Sequence, residues 1–344
     1  MKLKIFFVLI ATLSLSPSLI SGDGIKIGKY AGEFLAIGVG GRALGMGGAY
    51  AAVGRDVTAA YWNPAGLMQM SYPELALMHD ERFGNLINYN YGGVAIPFGA
   101  RYTVGLSVMR LGIDNIKNTN GALIDENGNG IQDPNERLDE SLIKTFSASD
   151  WAVYLSYAMN VSKTFAIGAN MKLIRRDLGD NGAYGVGFDV GALLKVTPNF
   201  SVGANIQDIT TTLLAWDTGT NELISPTMKI GAAYSLEALG GRFTPAVDFD
   251  VMFENRKFAS VAAIGPVGIN PRAGLEYEFK NLIAVRAGYS DTKSLTFGAG
   301  VHLPKLNVDY SFAKFDGADQ IGENTHRISL RLTLEEKQFL RSPK

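Results

Sequence analysis

The chain has 344 residues, of which 47% are hydrophobic and 19% charged, and its formal net charge at pH 7 is -1. Such a balance gives no electrostatic reason to expect a nucleic-acid partner, and the absence of cysteine removes disulfides, zinc-thiolate sites and thiol catalysis together. With 40 glycines against 12 prolines, the composition suits closely spaced strands better than a helical bundle.

Residues 1–22 read as a secretory signal peptide: Lys2 and Lys4 precede an apolar run from Ile5 to Leu15, and small residues follow around Ser16, Ser18 and Ser21. A membrane anchor would need about 20 unbroken apolar residues, and Pro17 interrupts too early. No later stretch approaches that hydrophobic length, so the mature chain is expected to be periplasmic, secreted or an outer-membrane barrel.

Next comes Gly38 to Met70, GVGGRALGMGGAYAAVGRDVTAAYWNPAGLMQM, which is too rich in glycine and alanine for an ordinary amphipathic helix. Its small residues (Gly40, Gly41, Gly45, Gly47, Gly48) allow backbones to approach closely. Ala49 to Val53 reads as a short strand, and Asn63 to Gly66 as an Asn-Pro-Ala-Gly turn. Residues 23–74 are therefore expected to form an N-terminal plug segment, in or under whatever the following strands enclose.

From residue 75 the pattern alternates with period 2. Phe243, Val247, Phe249, Val251 and Phe253 share one face, while Ala246, Asp248, Asp250 and Met252 share the other. Two aspartates would be costly in a dry core but are reasonable beside water. Ile328, Leu330, Leu332 and Leu334 likewise oppose Arg327, Ser329, Arg331 and Thr333. Apolar outside with polar or glycine inside is the signature of a transmembrane barrel.

About fourteen such segments fall near 75–83, 87–97, 101–113, 149–161, 164–177, 183–196, 199–209, 226–237, 242–253, 269–280, 282–291, 294–303, 305–315 and 325–334. Their connections alternate between tight turns and mostly longer loops, the longest being 114–148. The expected fold is all-β: a transmembrane antiparallel up-and-down β-barrel spanning 75–334, with short periplasmic turns and long outer loops. A soluble two-layer sandwich would also alternate, but it does not explain lumen charges together with one-sided loop lengths. Trp151, Tyr154, Tyr157, Tyr289, Tyr310 and Phe312 are candidates for interfacial girdles.

Inside the longest loop, Asp125 to Glu136 fits the calcium-loop spacing D-x-[DN]-x-[DN]-G-x5-E. Asp125, Asn127 and Asn129 would supply side-chain oxygens, Ile131 its carbonyl, Asp133 a direct or water-mediated oxygen and Glu136 a bidentate closure around the Gly130 turn. The expected cofactor is a structural Ca2+ ordering the loop. Catalytic readings fail by comparison: His79, His302 and His326 are the only histidines, and neither H-E-x-x-H nor G-x-S-x-G occurs. The pairs Asp248/Asp250 and Glu276/Glu278 are expected as lumen wall, with Arg286, Arg327, Arg331, Lys172 and Lys229 as candidate partners.

The run RALGMGGAYAAV from Arg42, YWNPAGL from Tyr61 to Leu67, and the late DYSF (Asp309 to Phe312) and THRISL (Thr325 to Leu330) together resemble the PorV/PorQ family of bacterial outer-membrane proteins, relatives of the FadL-type barrels. That resemblance implies a type IX secretion accessory that receives or tethers exported cargo, with secretion-machinery proteins as partners and no enzymatic role. The wider FadL group implies instead passage of a small hydrophobic molecule, and a purely structural outer-membrane protein is the third reading. One departure is that the chain continues past its last strand into a charged segment, 335–344, expected as a periplasmic tail.

Overall fold

The computed structural model describes residues 25–26, 32–82, 86–119, 121–253, 260–290, 294–314 and 325–341. The signal-like segment 1–22, part of the expected plug and the last three residues of the tail lie outside these. Fourteen strands form a closed antiparallel barrel: β1 (Glu74–Arg82), β2 (Ile87–Phe98), β3 (Tyr102–Asn118), β4 (Lys144–Asn160), β5 (Phe165–Leu178), β6 (Asn181–Lys195), β7 (Phe200–Gln207), β8 (Thr227–Tyr234), β9 (Gly241–Met252), β10 (Val267–Phe279), β11 (Ile283–Tyr289), β12 (Leu295–Leu303), β13 (Leu306–Lys314) and β14 (Thr325–Thr333). Each pairs with its sequence neighbour, and β14 closes on β1 with Glu74 opposite Thr333 and Glu81 opposite His326. Closure leaves no edge, so backbone donors and acceptors within lipid find partners in the ladder.

Residue alternation sets the two surfaces. On β9, Val247 and Phe249 are 48% and 47% exposed, whereas Asp248 and Asp250 are each 1% exposed. Across the outside, Leu77, Leu106, Leu155, Val186, Val285, Phe297 and Ile328 continue the apolar belt that lipid would solvate. Trp151, Tyr157, Tyr289 and Tyr310 lie on this outer face, but Tyr154 is 1% exposed and points inward. Its even number places it opposite Trp151 and Tyr157 in the pleat, which corrects its assignment to a girdle.

The ends of the barrel differ. At one end the strands turn tightly: Lys280 and Asn281 both adopt positive φ, 51° and 53°, and Leu282 N–H bonds back to Phe279 O at 2.9 Å, a hairpin turn whose twist suits antiparallel strands. At the other end the connections are longer. β3 and β4 rise together past the expected loop boundaries and pair as far as Asn118 with Lys144, across a bulge at Ile113/Ile116. Polar residues there obscure the period in the sequence, so the irregular part of the loop is shorter than 114–148.

After Gln207 the chain leaves the barrel wall, turns through Asp208 and Thr211 at positive φ, and forms a hairpin, Thr212–Trp216 with Asn221–Ile224, that pairs with the long-loop end of β6. The backbone of Ile25–Lys26 runs parallel to Asn221–Glu222. The backbone at 25–26 therefore lies at the long-loop end and Glu74 at the tight-turn end, and the described residues 32–73 pass through the barrel.

The described residues of that lumenal segment carry three short helices, α1 (Glu33–Ala36), α2 (Gly41–Gly45) and α3 (Ala59–Trp62), and a 3-10 turn, Pro64–Gln69. Ala49 to Val53 is not a strand. It is a turn closed by Val53 and Gly54 N–H on Tyr50 O, at 3.2 and 3.0 Å, because a carboxylate from the wall, described below, takes the N–H groups that a neighbouring strand would need.

Candidate functional site in the barrel lumen

The wall makes room for the lumenal segment where its inward residue is glycine. Gly274 and Gly298 face α2 and its C-terminal turn, Gly203 faces Ala51, and Gly168 faces Pro64. A Cβ at Gly274 would sit 2.5 Å from Met46 O, closer than any real contact. On the segment, Gly47 has φ +66° and lies against the backbone of Tyr289, so both conformation and space require glycine there. Between these contacts, Leu35, Val39, Leu44, Met46, Tyr50, Tyr61, Trp62, Leu67 and Met70 form an apolar core inside the barrel.

Polar contacts fix the segment to the wall. Arg42 donates from Nε and Nη2 to the two oxygens of Glu276, at 2.8 and 2.7 Å, and from Nη1 to the Tyr50 hydroxyl at 3.0 Å. Tyr50 in turn donates to Asp56 at 2.8 Å, and Arg331 reaches the same carboxylate at 3.1 Å. Behind Glu276, Arg286 donates to it and to Asp309, both at 2.7 Å. A continuous chain of alternating charge thus crosses from β13 through the segment to β14. All these side chains are buried or nearly so, and burial without partners would be prohibitive.

Asp248 holds the neighbouring turn by accepting from Tyr50 N–H and Ala51 N–H, each at 2.8 Å. Asp250 pairs with Lys229 at 2.7 Å and with Arg272 at 2.9 Å, and Arg272 also donates to Gly47 O. Asn63 caps the 3-10 turn and donates to Ala51 O and to Ala192 O of β6, at 2.8 and 2.9 Å. Three further wall amides, Asn170, Asn205 and Gln207, donate to the carbonyls of Ala60, Trp62 and Tyr61. At the departure point of β7, Lys172 lies between Asp189 and Asp208, at 2.8 and 2.6 Å, and is 1% exposed.

Of the partners the sequence proposes for the paired carboxylates, Lys229 and Arg286 do meet them. Arg327 instead meets Asp80, Arg331 meets Asp56 and Glu74, and Lys172 meets Asp189 and Asp208. Arg42, Arg55 and Arg272 also meet the paired carboxylates, and Arg242 lies 3.8 Å from Glu278. Arg272 shares the inward parity of Glu276 and Glu278 on β10, whereas Arg42 and Arg55 lie in the lumenal segment, where no period-2 pattern points to a carboxylate. His326 bonds Tyr310 at 2.7 Å on the outer face, away from the lumen.

Among the described residues, pockets flank the segment at both ends. Towards the long loops, a pocket of about 180 Å³ is lined by Ile37, Leu44 and Ala313 on its apolar side and by Arg82, Arg272 and Arg327 on its polar side. Towards the tight turns, a pocket of about 290 Å³ is mostly polar. Below the segment, the tail folds back: Arg341 N–H donates to Ser71 O at 2.8 Å, its Nε to Met70 O at 2.8 Å, and its Nη2 to Leu67 O and the Thr103 hydroxyl.

The Asp125 to Glu136 loop lies far from these contacts, closed at its base by the antiparallel pair Leu123–Ile124 and Arg137–Leu138. Asp125 accepts from Gly128 and Gly130 N–H at 2.6 and 2.8 Å, and Glu136 accepts from Glu126 and Asp133 N–H, both at 3.0 Å. The Gly130 and Gly128 N–H groups hold the Asp125 carboxyl below the usual carboxylate range. Asn127 and Asn129 present their amide nitrogens to Asp133, at 2.6 and 3.0 Å, so their oxygens would have to turn for all six groups to share an ion. Among the described residues no three acidic or histidine side chains already converge as a metal site.

No family model and no curated protein matches this sequence. Solved structures do. The Ralstonia pickettii toluene transporter TbuX superposes with a TM-score of 0.59 at 14% identity, covering 86% of this chain and 98% of its own. The Pseudomonas putida toluene transporter TodX gives 0.57 at 13% identity, covering 87% and 99%. A Pseudomonas aeruginosa FadL homologue gives 0.52 at 12% identity, covering 84% and 96%. With the apolar outer belt and one-sided loops, these matches identify the protein as a bacterial outer-membrane β-barrel with the fold of the FadL-type barrels.

Proposed function

We propose that the protein passes small hydrophobic molecules across the outer membrane. The observation that carries this reading is the outer pocket, half apolar and half polar, placed between α1–α2 and the wall in a barrel that matches two toluene transporters over nearly their whole length. A molecule entering there meets Ile37 and Leu44 first, and its onward passage requires the lumenal segment to shift. The test is uptake of radiolabelled toluene by cells that lack their own hydrophobic-uptake barrels and express this chain. Uptake above the empty-vector control, reduced by Leu44→Asp, is the expected result; equal uptake rejects the reading.

A second reading, favoured by the packed and ion-paired lumen and by the resemblance of RALGMGGAYAAV and YWNPAGL, is a PorV-type accessory of type IX secretion that tethers cargo with its outer loops. Deletion of the gene would then leave signal-bearing substrates in the periplasm while toluene uptake stays normal.

We also propose that the Asp125 to Glu136 loop takes a structural Ca2+. Its donors are hard oxygens in the order such a loop uses, and Asp125 and Glu136 already organise the backbone from both ends.

A further inference from the structure

The pocket at the tight-turn end has a chemistry that hydrophobic passage does not use. Its floor is the lumenal segment, which contributes Arg42 and Arg55; its walls are the ends of β6 to β9 and their turns, which contribute Lys195, Ser201, Glu237 and Arg242. Four cations thus meet one carboxylate around about 290 Å³.

Arg42 and Arg55 are held in position from behind, and Arg242 donates from Nε to Glu237 of the pocket wall at 2.8 Å. Arg42 is fixed by Glu276. Glu278 accepts from Arg55 at 3.1 Å, lies 3.8 Å from Arg242 and is itself bonded to His302 at 3.1 Å. Arg55 and Arg242 remain 39% and 32% exposed at their side chains, each with further N–H groups beyond those bonds. Lys195 forms no ion pair among the described residues. Planar guanidinium forks beside a point-charge ammonium suit an oxyanion with several equivalent oxygens.

We propose that this periplasm-facing pocket binds a phosphate group. It is reached from the aqueous side, because its wall residues, Ser201 and its neighbours, belong to the lumenal face and the connecting turns rather than to the lipid belt. The site is independent of what the outer pocket carries.

The purified full-length barrel in zwitterionic detergent is titrated calorimetrically with inorganic phosphate. In parallel, nanodiscs containing phosphatidylglycerol or phosphatidylcholine are compared by native mass spectrometry for retained lipid. Saturable phosphate binding, weakened at least tenfold by Lys195→Gln and by Arg242→Gln but unchanged by Arg175→Gln on the opposite end, supports the site and assigns it to a soluble phosphate. Retention of phosphatidylglycerol that Lys195→Gln abolishes supports the same site with a lipid headgroup as its source. No saturable binding in either arm, or binding equal in the parent and Lys195→Gln, overturns it. Lys195 is exposed and forms no ion pair among the described residues, so its substitution leaves the barrel intact, which heat-modifiable gel mobility verifies.

Discussion

Arg42 and Glu276 lie 234 positions apart in the chain and meet as a two-pronged pair inside the barrel, with both nitrogen–oxygen distances under 3 Å. The first belongs to the lumenal segment and the second to β10, so this pair joins the two parts of the molecule. Removing one partner of a buried pair strands the other charge and costs roughly 3–5 kcal/mol. Arg42→Ala is therefore expected to speed amide exchange across 40–62 while the strands stay protected. A double-mutant cycle with Glu276→Gln is expected to show coupling of roughly 0.5–3 kcal/mol; strict additivity would mean the pair does not fasten the segment.

Lys172 does a different job, holding apart two carboxylates where β7 leaves the wall. With Lys172→Met, Asp189 and Asp208 are left as buried like charges beside Thr212, which bonds Asp208. A loss of roughly 3–5 kcal/mol is expected, read as a lower unfolding midpoint in denaturant. Lys172→Met combined with Asp189→Asn and Asp208→Asn removes the stranded charges and is expected to recover part of that loss. A midpoint unchanged in the single variant would show that the trio contributes nothing to the wall.

The tail makes a third, simpler case. Arg341 bonds three backbone oxygens at the exit of the lumenal segment, Ser71, Met70 and Leu67. Deleting 335–344 is expected to increase exchange at 67–71 and leave the rest of the lumenal segment, fixed by Arg42 and Asp248, protected. Exchange that rises equally throughout the segment would place the tail's role in global stability instead.

The sequence discloses the wall far better than the contents. Alternation on β9 and β14 is strict because lipid and lumen impose opposite solvents on successive residues, so Val247, Asp248, Phe249 and Asp250 can be placed without coordinates. The same parity would have put Tyr154 inside. Strand ends are harder to see: β3 and β4 continue above the apolar belt, where both faces meet water and the period fades. The hairpin after Gln207 is missed for the same reason. Within the lumen, Asn63 and Arg42 sit in the most distinctive motifs of the chain, yet their partners, Ala192 O and Glu276, follow only from barrel closure. No local pattern encodes a contact between residues that far apart.

The calcium proposal has the plainest outcome. Because backbone N–H groups depress the Asp125 carboxyl, the contribution of its ionised form to loop order is fully present at neutral pH and is lost only as pH falls through that lowered value. Isolated extracellular calcium modules bind with dissociation constants of roughly 10⁻⁴–10⁻³ M, so millimolar Ca2+ is expected to slow proteolytic cleavage within 125–136 and Mg2+ to do so less. Glu136→Gln removes the closing carboxylate and should abolish the protection, while Glu140→Gln, just outside the loop, should not. Cleavage at the same rate with and without Ca2+ would leave Asp125, Asn127, Asn129, Ile131, Asp133 and Glu136 as a hydrogen-bonded turn that needs no ion.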